Sequence, residues 1–166
     1  AKDVLLKRLD DREWFVRMQA VRALSTLLGK GAISHVARLI GDDDILVRES
    51  VKKALEVDIE TAKPFIYDIL NGVDEIAKRE AIEAVENSGH LVDIFKDIIS
   101  NDQEKMKAAK KFLEKMILSY LHFGLEGTLV DFDKNSQQKI LEVIKSINKP
   151  FAEHIEKMLS KQLNEL

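Results

Sequence analysis

The chain has 166 residues, of which 45% are hydrophobic and 33% charged, with a formal net charge of −3 and no cysteine. That length and balance suit a single folded domain over residues 1–166. The missing thiols exclude disulfides, thiolate metal sites and a cysteine nucleophile, and the slight negative charge supplies no global field for nucleic acid. No run approaches the roughly 18 apolar residues of a membrane span, and no charged-then-apolar opening marks a secretory signal, so a cytoplasmic location with no membrane contact is expected.

Two prolines and seven glycines interrupt stretches rich in Leu, Lys, Glu and Ala, which favours helix nearly throughout. An excess of Lys over Arg with frequent Glu and Ile is a bias seen in thermophile proteins. In chain order, residues 2–9 put Leu5, Leu6 and Leu9 on one helical face. A helix over 12–28 and a second over 33–40 follow, divided by Gly29-Lys30-Gly31, where positive φ ends a helix. The next pair is predicted at 43–56 and 61–70, with Pro64 in the first turn of its helix, and the third at 74–86 and 90–99, joined by Asn87-Ser88-Gly89. Leu91, Ile94, Phe95, Ile98 and Ile99 form the i, i+3, i+4, i+7, i+8 set of a buried face. A helix over 102–118 buries Met106, Ala109, Leu113, Met116 and Ile117. Gly124 and Gly127 bracket a link before an abbreviated helix at Leu129, Val130 and Phe132. The last pair spans 135–147, with Ile140, Val143, Ile144 and Ile147 inward, and 151–163, where Phe151, Ile155, Met158 or Leu159, and Leu163 are apolar.

The organising feature is self-similarity. Residues 9–24, LDDREWFVRMQAVRAL, lie over residues 40–55, IGDDDILVRESVKKAL, at a shift of 31, matching Asp11 with Asp42, Phe15 with Leu46, Val16 with Val47, Arg17 with Arg48, Ala23 with Ala54 and Leu24 with Leu55. A further shift of 30 brings Asp74 onto Asp44, Ala77 onto Val47, Lys78 onto Arg48 and Val85 onto Leu55. Such a period marks stacked helix pairs, each too small to bury its apolar stripe alone. The expected units are 1–10 (partial), 11–41, 42–71, 72–100, 101–133 and 134–166. At this register residues 2–9 are the second helix of a unit lacking its first, either because a longer protein continues upstream or because the helix is a native cap.

The pattern D-D-x-x-x-V-R-x-x-x-x-x-A-L, carried by Asp42, Asp43, Val47, Arg48, Ala54 and Leu55, resembles the HEAT repeat, and its short period is similar to the HEAT-like subgroup first described in phycobilin lyases. The resemblance implies an all-α, α-α superhelix (HEAT-like solenoid) of about five antiparallel helix pairs preceded by one unpaired helix. It implies a ladder of Asp and Arg along the stack, from Asp11 and Arg17, Asp42 or Asp43 and Arg48, and Asp74 and Lys78. Physically, Asp near a helix start caps free amides and Arg can hold a neighbouring carboxylate with two hydrogen bonds. It also implies that second helices line a concave partner-binding face, where His35, Arg38, Lys63, Tyr67, Asp68, Asp93, Lys96 and Asp97 stand off the apolar stripe, with Ser34 beside them. Aromatic and Arg side chains are the usual anchors.

The implied function is that of a non-catalytic scaffold or adaptor for another protein, with a monomer favoured. No cofactor, metal ligand or catalytic residue is assigned. Asp42-Asp43-Asp44 lacks the spacing and glycine of a calcium loop. His35, His90, His122 and His154 fall on different units without H-x-x-x-H, H-E-x-x-H or the His-Glu pairs by which HEAT-like deoxyhypusine hydroxylases bind iron. No G-x-S-x-G, P-loop or dinucleotide fingerprint occurs, and bilin lyase chemistry rests on fold analogy alone. The alternative partner is nucleic acid, through Lys105, Lys107, Lys110, Lys111 and Lys115, although Asp102, Glu104 and Glu114 dilute that charge. Trp14 fills a slot held by Ile45 and Glu75, and a partly exposed packing role at a helix start is expected of it.

Overall fold

A computed structural model describes residues 1–119 and 124–165, and the Leu163 side chain lies outside the described set together with His122. Among the described residues every regular element is helical. The chain divides into two compact units, Ala1–Ser88 and Gly89–Leu166. The boundary falls inside the third expected repeat, so the helices foreseen as one hairpin there belong to different units.

The first unit holds α1 (Lys2–Arg8), α2 (Trp14–Leu28), α3 (Ile33–Val36), α4 (Ile45–Leu55), α5 (Ile59–Asn71) and α6 (Glu75–Asn87). The long helices α2, α4 and α6 pack in a row, while α1, α3 and α5 lie against them and α3 touches α5. Small residues permit the close approach: Ala20, Ala54, Ala81 and Ala84 are buried beside Val21, Leu24, Val51, Leu55, Ile82 and Val85. A single helix pair could not remove these side chains from water, which is why the repeats stack.

Helix starts are set by acids. Asp44 accepts hydrogen bonds from the Leu46 and Val47 amides, Asp58 from Thr61 and Asp74 from Ala77, so each predicted boundary shifts by one or two residues because the acid is the cap. The Asp58 cap starts α5 early enough to put Pro64 in its second turn instead of its first, where it withholds the amide that would have bonded the Glu60 carbonyl. The second helix expected over 33–40 is broken into the single α turn of α3 and a tight turn at Ala37–Leu39, with another tight turn at Gly29–Ala32 before it. Gly29, at φ 54°, ends α2 in a conformation that a side chain would resist.

The second unit holds α7 (Leu91–Ile98), α8 (Gln103–Leu118), α9 (Leu125–Leu129), α10 (Lys134–Ile147) and α11 (Lys149–Asn164). Here α8 packs on α10, α7 on α8, α9 and α10, and α11 on α9 and α10. Gly89, at φ 77°, supplies the left-handed turn before α7. Leu91, Ile94, Phe95 and Ile98 are buried as their spacing requires, and the Phe95 ring meets Phe132 edge-on at 5.9 Å. Leu141 joins the buried Ile140 and Ile144 of α10, while Val143 and Ile147 stay half-buried. The abbreviated helix lies earlier than foreseen: α9 ends at Leu129, Gly127 is inside it, and Val130 and Phe132 follow it. Its first residue, Leu125, is buried and anchors the turn that the sequence assigned to the link.

Leu24→Ala should cost about 2–5 kcal/mol and Phe95→Ala about 3–5 kcal/mol, read as shifts in urea-unfolding midpoint. Val73→Ala, at a side chain 95% exposed, should stay within about 0.5 kcal/mol of the parent.

Candidate interaction surface

The turn between α1 and α2 and its copy between α3 and α4 carry the polar interactions that join neighbouring repeats. Arg17, on α2, donates from Nε and Nη2 to Oδ2 and Oδ1 of Asp42 at 2.8 and 2.7 Å. Its Nη1 donates to the carbonyls of Asp11 and Arg12, both at 3.0 Å. One guanidinium thus ties its own turn to the carboxylate of the next repeat, and the two side chains are only 16% and 5% exposed. Asp42 Oδ1 also accepts the Asp44 amide, as Asp11 Oδ1 accepts that of Glu13.

Arg48 repeats half of this. Its Nη1 donates to the carbonyls of Asp42 and Asp43 at 2.7 and 3.1 Å, but its Nε donates to Glu80 Oε1 at 3.0 Å. The expected partner is absent, since the slot of Asp42 in the following repeat is Gly72. Glu80 takes over the role from inside α6. Lys78 departs further: its ammonium lies 3.0 Å from Glu75, while Asp74 caps α6 and rests against Gly41, where a Cβ would collide with the Asp74 carboxylate.

Glu80 also lies 2.7 Å from the Lys52 ammonium, which meets Glu49 and Glu83 as well. Glu80 Oε2 accepts no well-directed hydrogen bond, yet a rotatable ammonium at that distance compensates its charge, and the ion pair is the better description. Sequence reasoning missed Lys52 and Glu80. A signal existed: Lys52 occupies the slot of the buried Val21 and Ile82, and a charge in an apolar slot needs a partner. Register also accounts for Lys63, which fills the slot of the buried Ala32, is buried, and holds Glu60 at 2.8 Å.

Burial by itself would raise the carboxyls of Asp42 and Glu80. The Arg17 hydrogen bonds and the Asp44 amide at Asp42, and Lys52 and Arg48 at Glu80, outweigh it and hold both below their ordinary values of 3.8 and 4.5. Glu86 shows the opposite: burial, then the charge of Glu83, raises it, and its Oε1 is buried without a hydrogen-bond partner among the described residues.

The residues assigned to a partner face divide by exposure. In the first unit Arg38 and Asp68 are exposed, His35 and Tyr67 half-buried, and Lys63 buried. Arg38 Nη1 lies 2.8 Å from Asp10 Oδ1, an exposed pair on adjacent second-helix turns. In the second unit Lys96 is exposed and Asp97 buried, while Asp93 sits between His90 Nδ1 at 3.0 Å and the Lys96 ammonium at 3.8 Å. Of the expected partner-face residues, the first unit thus leaves Arg38 and Asp68 exposed and Tyr67 half-buried, and the second unit, taken by itself, leaves Lys96 exposed, with Lys63 and Asp97 withdrawn into the protein.

Within the second unit a cleft of about 250 Å³ is lined by Val130, Phe132, Asp133, Gln137 and Leu159. Its carboxylate, Asp133, is committed to the amides of Asn135 and Ser136 at the start of α10. The Asp42-Asp43-Asp44 run is divided similarly, with Asp42 on Arg17 and Asp44 capping α4. Among the described residues no three His, Asp or Glu side chains gather as a metal would require, and no helix is long and apolar enough to cross a membrane.

The HEAT repeat family model matches residues 3–30, the stretch that runs from α1 through the Asp11 turn to the end of α2 and contains Arg17. No curated protein matches the chain. Among solved structures, the crystal structure of an engineered protein is similar at 21% identity, covering 87% of this chain and 79% of that one with a TM-score of 0.35.

Asp42→Ala should cost about 2 kcal/mol, less than the full penalty for breaking a buried pair because Arg17 keeps some solvent. A double-mutant cycle with Arg17→Ala, measured by urea unfolding, should return a coupling on the order of 1–3 kcal/mol. Because Asp42 and Glu80 are depressed in the folded state, the unfolded chain binds their protons first. Their stabilisation is complete above 3.8 and 4.5 and is lost as pH falls through the lowered folded values. Urea midpoints should drop on acidification below about pH 4.5 and do so less steeply in Asp42→Asn. Glu86 contributes with opposite sign, so Glu86→Gln should raise the midpoint at neutral pH.

Proposed function

The chain carries a HEAT repeat in an all-α, HEAT-like repeat fold, and on that premise we propose that it is a non-catalytic scaffold or adaptor that binds a partner protein across its second helices. HEAT repeats generally mediate protein–protein interaction. The observation that carries the reading is exposure on the second-helix segments: Arg38, paired at the surface with Asp10, and Asp68, next in the chain to the half-buried aromatic Tyr67, stand out where the apolar residues around them are committed to the core. Such residues become anchors when a partner excludes water from them. The carboxylates with lowered pKa are occupied by arginine, lysine and backbone amides, an arrangement suited to holding helices together.

A nucleic-acid reading has one favourable observation, the exposure of Lys105, Lys107 and Lys110 on α8. Glu104 and Glu114 are exposed on the same helix, which lowers the field those lysines produce.

The test is a pull-down with the whole chain from the native cell extract, followed by titration of the captured species. Arg38→Ala and Tyr67→Ala should each weaken binding about tenfold or more, with the urea-unfolding midpoint verifying that each variant is folded at the temperature of the titration. Full binding by both variants rejects this face. Capture of nucleic acid that is lost steeply with added salt replaces the protein reading with the other.

A further inference from the structure

The first turns of α2, α4 and α6 expose large apolar side chains in register. Phe15, Leu46 and Ile76 occupy the same slot of three successive repeats and are 49%, 45% and 43% exposed. Trp14 and Ile45 stand beside the first two, and the Trp14 ring lies edge-on to Phe15 at 6.1 Å. Scattered exposed hydrophobics need no explanation, but these recur with the period of the fold on helices that pack against one another. A local role does not account for them either. They sit at the first and second helical positions, whereas a hydrophobic staple joins the residue before the cap to the fourth position. The corresponding residue before the cap of α6, Val73, is almost wholly exposed.

The charges around this ridge have one sign in excess. Glu13, Asp43 and Glu75 are exposed along it, and Asp44 and Asp74 cap two of its helices. Of the nearby cations, Arg17 is held by Asp42, Arg48 by Glu80 and Lys78 by Glu75, while Arg12 and Arg79 are exposed, which still leaves carboxylates in excess. An apolar ridge edged by carboxylates complements a segment with an apolar stripe edged by lysine or arginine.

We propose that this edge of the first unit docks a basic amphipathic helix of a partner protein, at a surface separate from the second-helix face. Helices packed about 10 Å apart place three first turns over about 20 Å, the length of about 13 residues of α-helix. The docked helix lays its apolar stripe across Phe15, Leu46 and Ile76, and its cations meet Glu13 and Asp43.

Trp14, the only tryptophan of the chain, reports on the site. Its emission is followed while a synthetic amphipathic Leu/Lys helical peptide is added to the whole protein, with the matching Leu/Glu peptide as control. The expected result is a saturable blue shift with the Leu/Lys peptide that salt weakens, and none with the Leu/Glu peptide. Leu46→Lys should weaken binding about tenfold. Glu13→Lys with Asp43→Lys should weaken it similarly and admit the Leu/Glu peptide. These side chains are exposed, so an unchanged unfolding midpoint verifies that each variant is folded, and Tyr67→Ala should leave the titration unaltered. No shift, equal response to both peptides, or indifference to Leu46→Lys overturns the proposal. So does a blue shift with protein concentration alone accompanied by doubling of mass, which assigns the ridge to a second copy.

Discussion

One guanidinium decides how the first repeats meet. Arg17 reaches back to two carbonyls of its own turn and forward to both oxygens of Asp42, so the orientation of α2 and the conformation of the following turn are set by one planar group. Apolar burial supplies most of the favourable free energy of stacking, but it is non-directional, and flat rows of alanine and leucine would tolerate sliding. A bidentate pair at hydrogen-bond distance does not slide. The same group satisfies carbonyls of the turn that precedes α2 and orders the carboxylate that shapes the entry to α4. Spacing, capping and packing are thereby set together in a stretch of about thirty residues.

Where the repeat loses this pair it finds another route. Gly72 replaces the aspartate in the third copy, and Arg48 turns to Glu80, which also compensates the lysine that intrudes into an apolar slot at position 52. Substituting a carboxylate on the helix for one in the turn keeps the ion pair and moves it along the interface. It also gathers five charged side chains, Arg48, Glu49, Lys52, Glu80 and Glu83, where neighbouring repeats have one pair. Buried charges of this kind are costly to separate and contribute little beyond a well-packed apolar replacement. Their consequence is orientation: α4 and α6 can meet in one way that leaves none of them stranded.

The surfaces left for recognition follow from this economy. Polar groups inside the stack are engaged by one another, so partner contacts fall to side chains at its surface. Those are of two kinds. The second helices offer Arg38, Tyr67 and Asp68, a polar set with one aromatic; the starts of the first helices offer Phe15, Leu46 and Ile76. The two sets differ in the chemistry they complement, the first mixed in charge and the second apolar and acid-edged.

The period, the helical class and the buried stripe of α7 were legible in the order of amino acids, because each depends on local propensity or on side chains three and four apart. Asp11, Asp42 and Arg17 were legible as a set through repetition. Which carboxylate each cation takes was decided only in three dimensions: Arg48 and Lys52 find Glu80 about thirty residues away, and Lys78 turns to its neighbour Glu75. Depth was decided there too, withdrawing Lys63 and Asp97 while exposing Phe15 and Leu46, since burial depends on what the adjoining helices cover. The early onset of α9 and the second-turn position of Pro64 belong to the same class, for a helix end is set by whichever cap and anchor the folded chain brings within reach.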